Sequence, residues 1–243
     1  MKPLGTLLKD NRWVKIAELA ILFALAVLFI KVFLREGDEY LIYNQIVLWV
    51  ANLLMLAYVW AGIRLRGERL ADFGLHFKKP SRRQVLRTFL WSLLVFVLAM
   101  IGFVVGSIIM ANITGIPQNT NLGGYDYLKD NFGMLILTLF GVYLVSSFGE
   151  ELVYRAFLIN RLQQLGLNGK WGTYLAIVIA AIIFGLAHFG WGPMGIVQTA
   201  CMGLVLGVCY IFLKKRLWIL VLAHMYMDTI LMAQLYMASN TPP

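Results

Sequence analysis

Gly149-Glu150-Glu151-Leu152-Val153-Tyr154-Arg155 closes an apolar run that begins near residue 133. Two adjacent carboxylates and a guanidinium are out of place there. Charged side chains inside lipid face a bundle interior or a wet cavity, and they mark functional positions. Two later stretches have the same character: Phe184-Gly185-Leu186-Ala187-His188 and His224-Met225-Tyr226-Met227-Asp228. The three are read together as one buried catalytic site in a helical membrane protein.

The composition around them supports lipid as the solvent. The chain has 243 residues, is 60% hydrophobic and only 14% charged, with a mean hydropathy of +0.77. Soluble domains are about 45–50% apolar and about 25% charged. Seven apolar spans are predicted, at roughly 16–34, 41–62, 88–111, 133–154, 173–189, 193–213 and 217–237. Each reaches or nearly reaches the about 20 residues that cross a hydrocarbon core, the fifth being the shortest. Backbone groups in lipid must pair internally, so every span should be a helix. The expectation is an all-α, polytopic transmembrane bundle of about seven helices, forming a single integral membrane domain. Residues 1–132 would supply N-terminal helices and a basic loop, and residues 133–237 a catalytic core.

The formal net charge is +9, but the basic residues cluster in alternate loops and form no nucleic-acid-binding patch. Lys2, Lys9, Arg12 and Lys15 precede the first span; Arg64 to Arg87 is strongly basic; Arg161 and Lys170 flank the fourth turn, and Lys214-Lys215-Arg216 the sixth. The intervening loops are acidic or uncharged. The positive-inside rule then puts the N-terminus in the cytoplasm and the C-terminus outside. The first span is read as a retained signal anchor. A compact chain with this clean alternation looks prokaryotic, which places it in the cell (inner) membrane.

Smaller features fit a packed bundle. Gly102 with Gly106, and Gly203 with Gly207, are spaced for close helix approach. Cys201 and Cys209 would lie about 12 Å apart along one helix, too far for a disulfide. Residues Pro80 to Arg87 are read either as a surface amphipathic helix or as a solvated loop. His76, in the basic loop, is treated as ordinary.

Spacing assigns chemistry to the polar stretches. Glu151 and Arg155 are neighbours on one helical face in the favourable acid-then-base order. Glu150 points about 100° away and lacks that partner, the setting for a general base or acid. The competing structural reading is a salt-bridged cluster at a helix end. Phe184 can pack one turn below His188, and His224 can hydrogen-bond to Asp228. Spans four and five should turn near Gly166 to Gly169, which brings Glu150 level with His188. His224 meets them if the fourth helix continues beyond the bilayer through 156–166, or if the fifth is short or tilted.

Glu-Glu-x-x-x-Arg, Phe-x-x-x-His and His-x-x-x-Asp on successive spans resemble the CPBP family, which contains the type II CAAX prenyl proteases and the Abi proteins. The resemblance covers about residues 133–237. It implies an intramembrane endopeptidase acting on a membrane-associated protein or peptide. Glu150 would activate a water with the help of His188, His224 and Asp228 would stabilise the oxyanion, and Glu151, Arg155 and Phe184 would support them. Eukaryotic members carry Asn where this chain has Asp228. An ionised Asp cannot donate a hydrogen bond, so it is protonated, orients His224 or binds a metal. Glu150, His188 and His224 could hold a divalent metal such as zinc with an open water position; a metal-free glutamate mechanism is equally consistent, and no cofactor is required. Prenylated CAAX proteins are the eukaryotic precedent, and leader peptides, bacteriocin-related peptides or sorting tails are the prokaryotic expectation. Two other readings compete: a non-catalytic scaffold or immunity protein of the same fold, and a proton-coupled transporter, for which the inverted repeats are not found.

Overall fold

Asn11 opens the first long helix by accepting from the Trp13 and Val14 amides. The computed structural model describes residues 4–77, 79–115 and 123–238. A short helix α1 (Leu4–Asp10) leads into α2 (Arg12–Phe33), α3 (Leu41–Leu65) and α4 (Arg82–Thr114). The fourth span, Phe132–Gln164, is composite: α5 (Phe132–Val142), two π-helical segments (Tyr143–Phe148 and Glu151–Leu158) and α6 (Ile159–Gln164). Then come α7 (Gly169–Ala187), α8 (Gly192–Phe212) and α9 (Leu217–Met237). No strand occurs among the described residues.

Seven of these helices are long and apolar enough to cross a membrane. Their outward faces carry large apolar side chains in unbroken stripes, such as Val97, Ile101, Val104 and Ile108 on α4. Contiguous apolar surface on that scale is untenable in water and natural in lipid. The protein is an integral membrane protein, an all-α polytopic bundle. Seven crossings put α1, residues 66–77 and 79–81, the 165–168 turn and the 213–216 turn on one face, called here the basic face.

The fourth span is the axis of the bundle. Every residue from Leu152 to Ile159 is buried, enclosed by α3, α7, α8 and α9. It continues to Gln164, past the apolar run, and turns at Gly166 and Gly169, whose φ values of 114° and 71° suit glycine. The next span, α7, is the shortest at 19 residues. Both features that would let His224 meet His188 are therefore present.

The structure corrects two expectations. Residues 82–87 are neither a separate surface helix nor a solvated loop: they are the first turns of α4, which starts at a capping box in which Ser81 Oγ accepts from the Gln84 amide and Gln84 Oε1 from the Ser81 amide. Arg66 and Arg161 are buried rather than solvated loop charges. Arg66 pairs with Glu18, and Arg161 takes Glu68 through Nη1 at 2.8 Å and Nη2 at 2.5 Å. Glu18 sits in the first apolar span, where only its partners make burial tolerable.

The glycine pairs serve internal packing. An added Cβ at Gly106 would lie 2.8 Å from Gln198 Cα, and one at Gly203 would lie 2.8 Å from Phe184 Cδ1. Gly106→Val should therefore push α4 off α8 and cost about 1–3 kcal/mol, measured as a lowered melting temperature in detergent. Gly123→Ala, with nothing within 4 Å of its Cβ, should stay within about 0.5 kcal/mol.

Candidate active site

Glu151 and Arg155 form the pair their spacing predicts, with Arg155 Nη1 3.2 Å from Glu151 Oε1 and both side chains buried. The guanidinium carbon lies 4.1 Å from the centroid of the Phe184 ring, in cation–π range. That ring also meets His188 edge-on at 4.7 Å and His224 at 6.5 Å. Phe184 is thus the point where the fourth span, α7 and α9 converge. Gly203 on α8 leaves the room: its missing Cβ would crowd both Phe184 and Arg155 Nη2.

The π-helical segments change what the two glutamates can reach. Bonding from i to i+5 widens the turn, so neighbouring residues diverge by less than the about 100° of an α-helix. Glu150 sits at the joint between the two segments. Both carboxylates approach the same imidazole. His224 Nδ1 donates to Glu151 Oε1 at 2.9 Å, while Nε2 faces Glu150 Oε2 at 3.9 Å. Such π insertions occur frequently at functional sites.

The predicted partnership of His224 with Asp228 takes a different form. The two approach to 3.9 Å without a hydrogen bond. Asp228 Oδ2 instead accepts from Ser147 Oγ at 2.6 Å, and Glu151 holds the imidazole. The cause is register: α9 packs antiparallel to the fourth span, so a straight ladder of cross-helix pairs forms. Thr229 meets Tyr143 at 2.7 Å, Asp228 meets Ser147, and His224 meets Glu151.

His188 ends α7. Its Nδ1 donates to the Phe184 carbonyl at 2.8 Å, which leaves Nε2 free to accept. The Trp191 ring lies 4.9 Å from the imidazole, tilted by 60°, in space made by Gly195, where a Cβ would come 2.3 Å from Trp191 Cβ.

Exposure separates the carboxylates. The Glu150 and Asp228 side chains are 14% and 13% exposed, whereas Glu151 is at 0%. Only the first two can meet water. Glu150 Oε2 has no hydrogen-bond partner among the described residues. Tyr125, in the turn Gly123–Leu128, is also close: burial, Tyr127 and the charges of Asp228 and Glu150 push its phenol above its ordinary range.

Among the described residues, no three His, Cys, Asp or Glu side chains form a group that could hold a metal ion. Nδ1 of each histidine is committed to Glu151 or to the Phe184 carbonyl, which leaves both Nε2 atoms as the available donors. His76 lies in the loop after α3, beside Phe77 and Arg69 on the basic face, and Cys201 and Cys209 are free thiols on α8.

Sequence reasoning missed Ser147, Tyr143, Thr229, Trp191 and Tyr125. Ser146-Ser147, one turn before Glu150 in an apolar run, was the available signal for one of them.

Residues 132–230 match the family model for type II CAAX prenyl endopeptidase Rce1-like proteins. No curated protein and no solved structure matches the chain. The matched segment contains all the polar stretches that the resemblance rests on.

Breaking the buried pair should be severe, because the buried Glu151 is left with His224 as its remaining partner. Arg155→Met should cost about 3–5 kcal/mol, seen as loss of a cooperative melt in detergent. The double change Arg155→Met with Glu151→Leu should recover much of that loss.

Proposed function

We propose that the protein is an intramembrane endopeptidase of the Rce1-like, CPBP type, in which Glu150 activates a water to hydrolyse a peptide bond of a membrane-associated protein or peptide. The family match over 132–230 supports the general proteolytic role. The observation that carries the mechanism is the position of Glu150: its side chain is partly exposed, while its shielded, unpartnered Oε2 faces His224 Nε2.

The chemistry follows from the atoms left available. A water between Glu150 and His188 gives one hydrogen to the Glu150 carboxylate and the other to His188 Nε2. Its oxygen lone pair attacks the scissile carbonyl carbon as Glu150 takes the proton. The oxyanion is met by His224 in its doubly protonated form, with Nδ1–H on Glu151 and Nε2–H aimed at the oxyanion. Collapse of the tetrahedral intermediate breaks the C–N bond, and Glu150 returns the proton to the departing amine. Glu151 and Arg155 are positioning residues that set the orientation of His224. Asp228, held by Ser147, adds negative charge near that imidazole. No step requires a metal.

Glu150→Gln keeps the shape and removes the base, so cleavage should fall by about 10²–10⁴-fold. Protein termini in membranes and culture supernatant, compared between cells with native protein and with the variant, read this directly. Termini lost in the variant name the substrates. Unchanged termini at normal expression would overturn the protease reading in favour of a binding role for the same fold.

Orientation belongs to the same proposal. The basic loops share one face of the bundle, which supports a cytoplasmic N-terminus and an external C-terminus. Alkaline phosphatase fused after the last helix should be active, and fused in the 66–81 loop inactive.

A further inference from the structure

Most arginines of the basic face are engaged. Arg66, Arg69 and Arg161 have acidic partners, Arg64 lies over the Trp60 ring, and Arg216 donates to Thr88. Arg83 and Arg87, like Arg12 and Arg82, have no acid within ion-pair reach among the described residues. They stand one turn apart on α4, where like charges destabilise a helix. They do not serve to start that helix, because the Ser81–Gln84 capping box already does so.

Arg83 and Arg87 border an open surface depression with Leu86, Leu90, Trp91 and Leu94, all on α4 itself. The lining follows two rows with a spacing of four, Arg83-Arg87-Trp91 and Leu86-Leu90-Leu94. Rows at this spacing are the ridges of a helix surface, with a groove between them. Here the groove is cationic at its start and apolar further in. The opposite side of the same turns is occupied by α9, through Arg216 on Thr88 and Ser92 on Tyr226 at 3.1 Å, so the arginine side faces outward. At 33 residues, α4 is about 50 Å long, more than the about 40–45 Å of a whole bilayer. Its first turns therefore stand at headgroup level, and Trp91 lies at the depth where amphipathic rings gather.

We propose that this groove binds one anionic phospholipid. Its phosphate is held between Arg83 and Arg87, which relieves their mutual repulsion, and an acyl chain lies along Leu86, Leu90 and Leu94. From Arg83 to Leu94 is about 16 Å of helix, enough for a headgroup and the upper part of a chain. A zwitterionic lipid presents its own cation to the two arginines and is disfavoured. This site stands whether or not the protein is a protease.

The test uses the full chain purified in neutral detergent and read by native mass spectrometry. It is titrated with phosphatidylglycerol, phosphatidylcholine and, separately, inorganic phosphate. Phosphatidylglycerol should be retained in preference to phosphatidylcholine. Arg83→Gln with Arg87→Gln should weaken it on the order of 30-fold, while Arg12→Gln with Arg35→Gln leaves it unchanged. Equal retention of both lipids, undiminished binding by the Arg83/Arg87 variant, or binding of phosphate without the lipid would overturn the proposal. Should the double variant fail to fold, a photoactivatable phosphatidylglycerol on the native protein decides. Crosslinks concentrated on residues 83–94 support the site, and crosslinks spread evenly over all lipid-facing helices refute it.

Discussion

A carboxylate with no access to water, Glu151, is the constraint on which this bundle depends. It lies in the middle of a membrane-spanning helix and is tolerated because Arg155 and His224 reach it from two directions. Such clusters seldom stabilise a protein relative to apolar residues of the same shape, because desolvation offsets most of the attraction. What the cluster does is fix positions. Arg155 must lie flat on Phe184, which sets the height of α7. His224 must present Nδ1 to Glu151, which sets the rotation of α9. Gly203 must lack a side chain, which sets how near α8 comes. Three helices are brought into register around one charge, and that register leaves Glu150 and the Nε2 atoms of both histidines uncommitted.

Contacts within one turn of one helix were legible in the sequence. Glu151 with Arg155 and Phe184 with His188 depend only on local helical geometry, and the structure contains both. Apolar length made the seven spans legible for the same reason. Cross-helix pairing was not legible. Nothing in the order of residues says that His224 would turn to Glu151 rather than to Asp228 one turn along its own helix. That choice follows from the antiparallel register of α9, in which Ser147 reaches Asp228 first. The π-helical turns were also hidden, since bonding from i to i+5 depends on what packs around the segment. Reading the stretch as a plain α-helix overstated the divergence of Glu150 and Glu151 in direction.

The basic face shows where charge counting misleads. A positive residue near the end of an apolar run reads as topogenic, and Arg161 was placed among the loop charges on that ground. Its burial is decided by Glu68, from a distant loop, and by the rings of Phe157 and Phe73 at 4.7 and 5.4 Å. Arg66 and Glu18 complete the cluster, with Arg161 Nε 3.8 Å from Glu18 Oε2. The same network ties α2, otherwise exposed along most of its length, to the fourth span.

The fourth span is thus pinned at two levels. Arg155 is held toward α7 and α8, while Arg161, six residues on, is held toward α2 and the loop after α3. A helix gripped at only one point can rotate or slide; one gripped at two points on different sides cannot. The π-helical segment Glu151–Leu158 begins beside the first grip and ends short of the second. An extra residue per turn is unfavourable in isolation, and here neither end is free to unwind it. Release of the Arg161 grip would therefore be felt at Glu150, about 16 Å along the helix axis, through rotation of the span rather than through any contact with the site. The buried charges of the basic face and those of the candidate active site together hold the fourth span in the rotation that leaves Glu150 partly exposed and Glu151 buried.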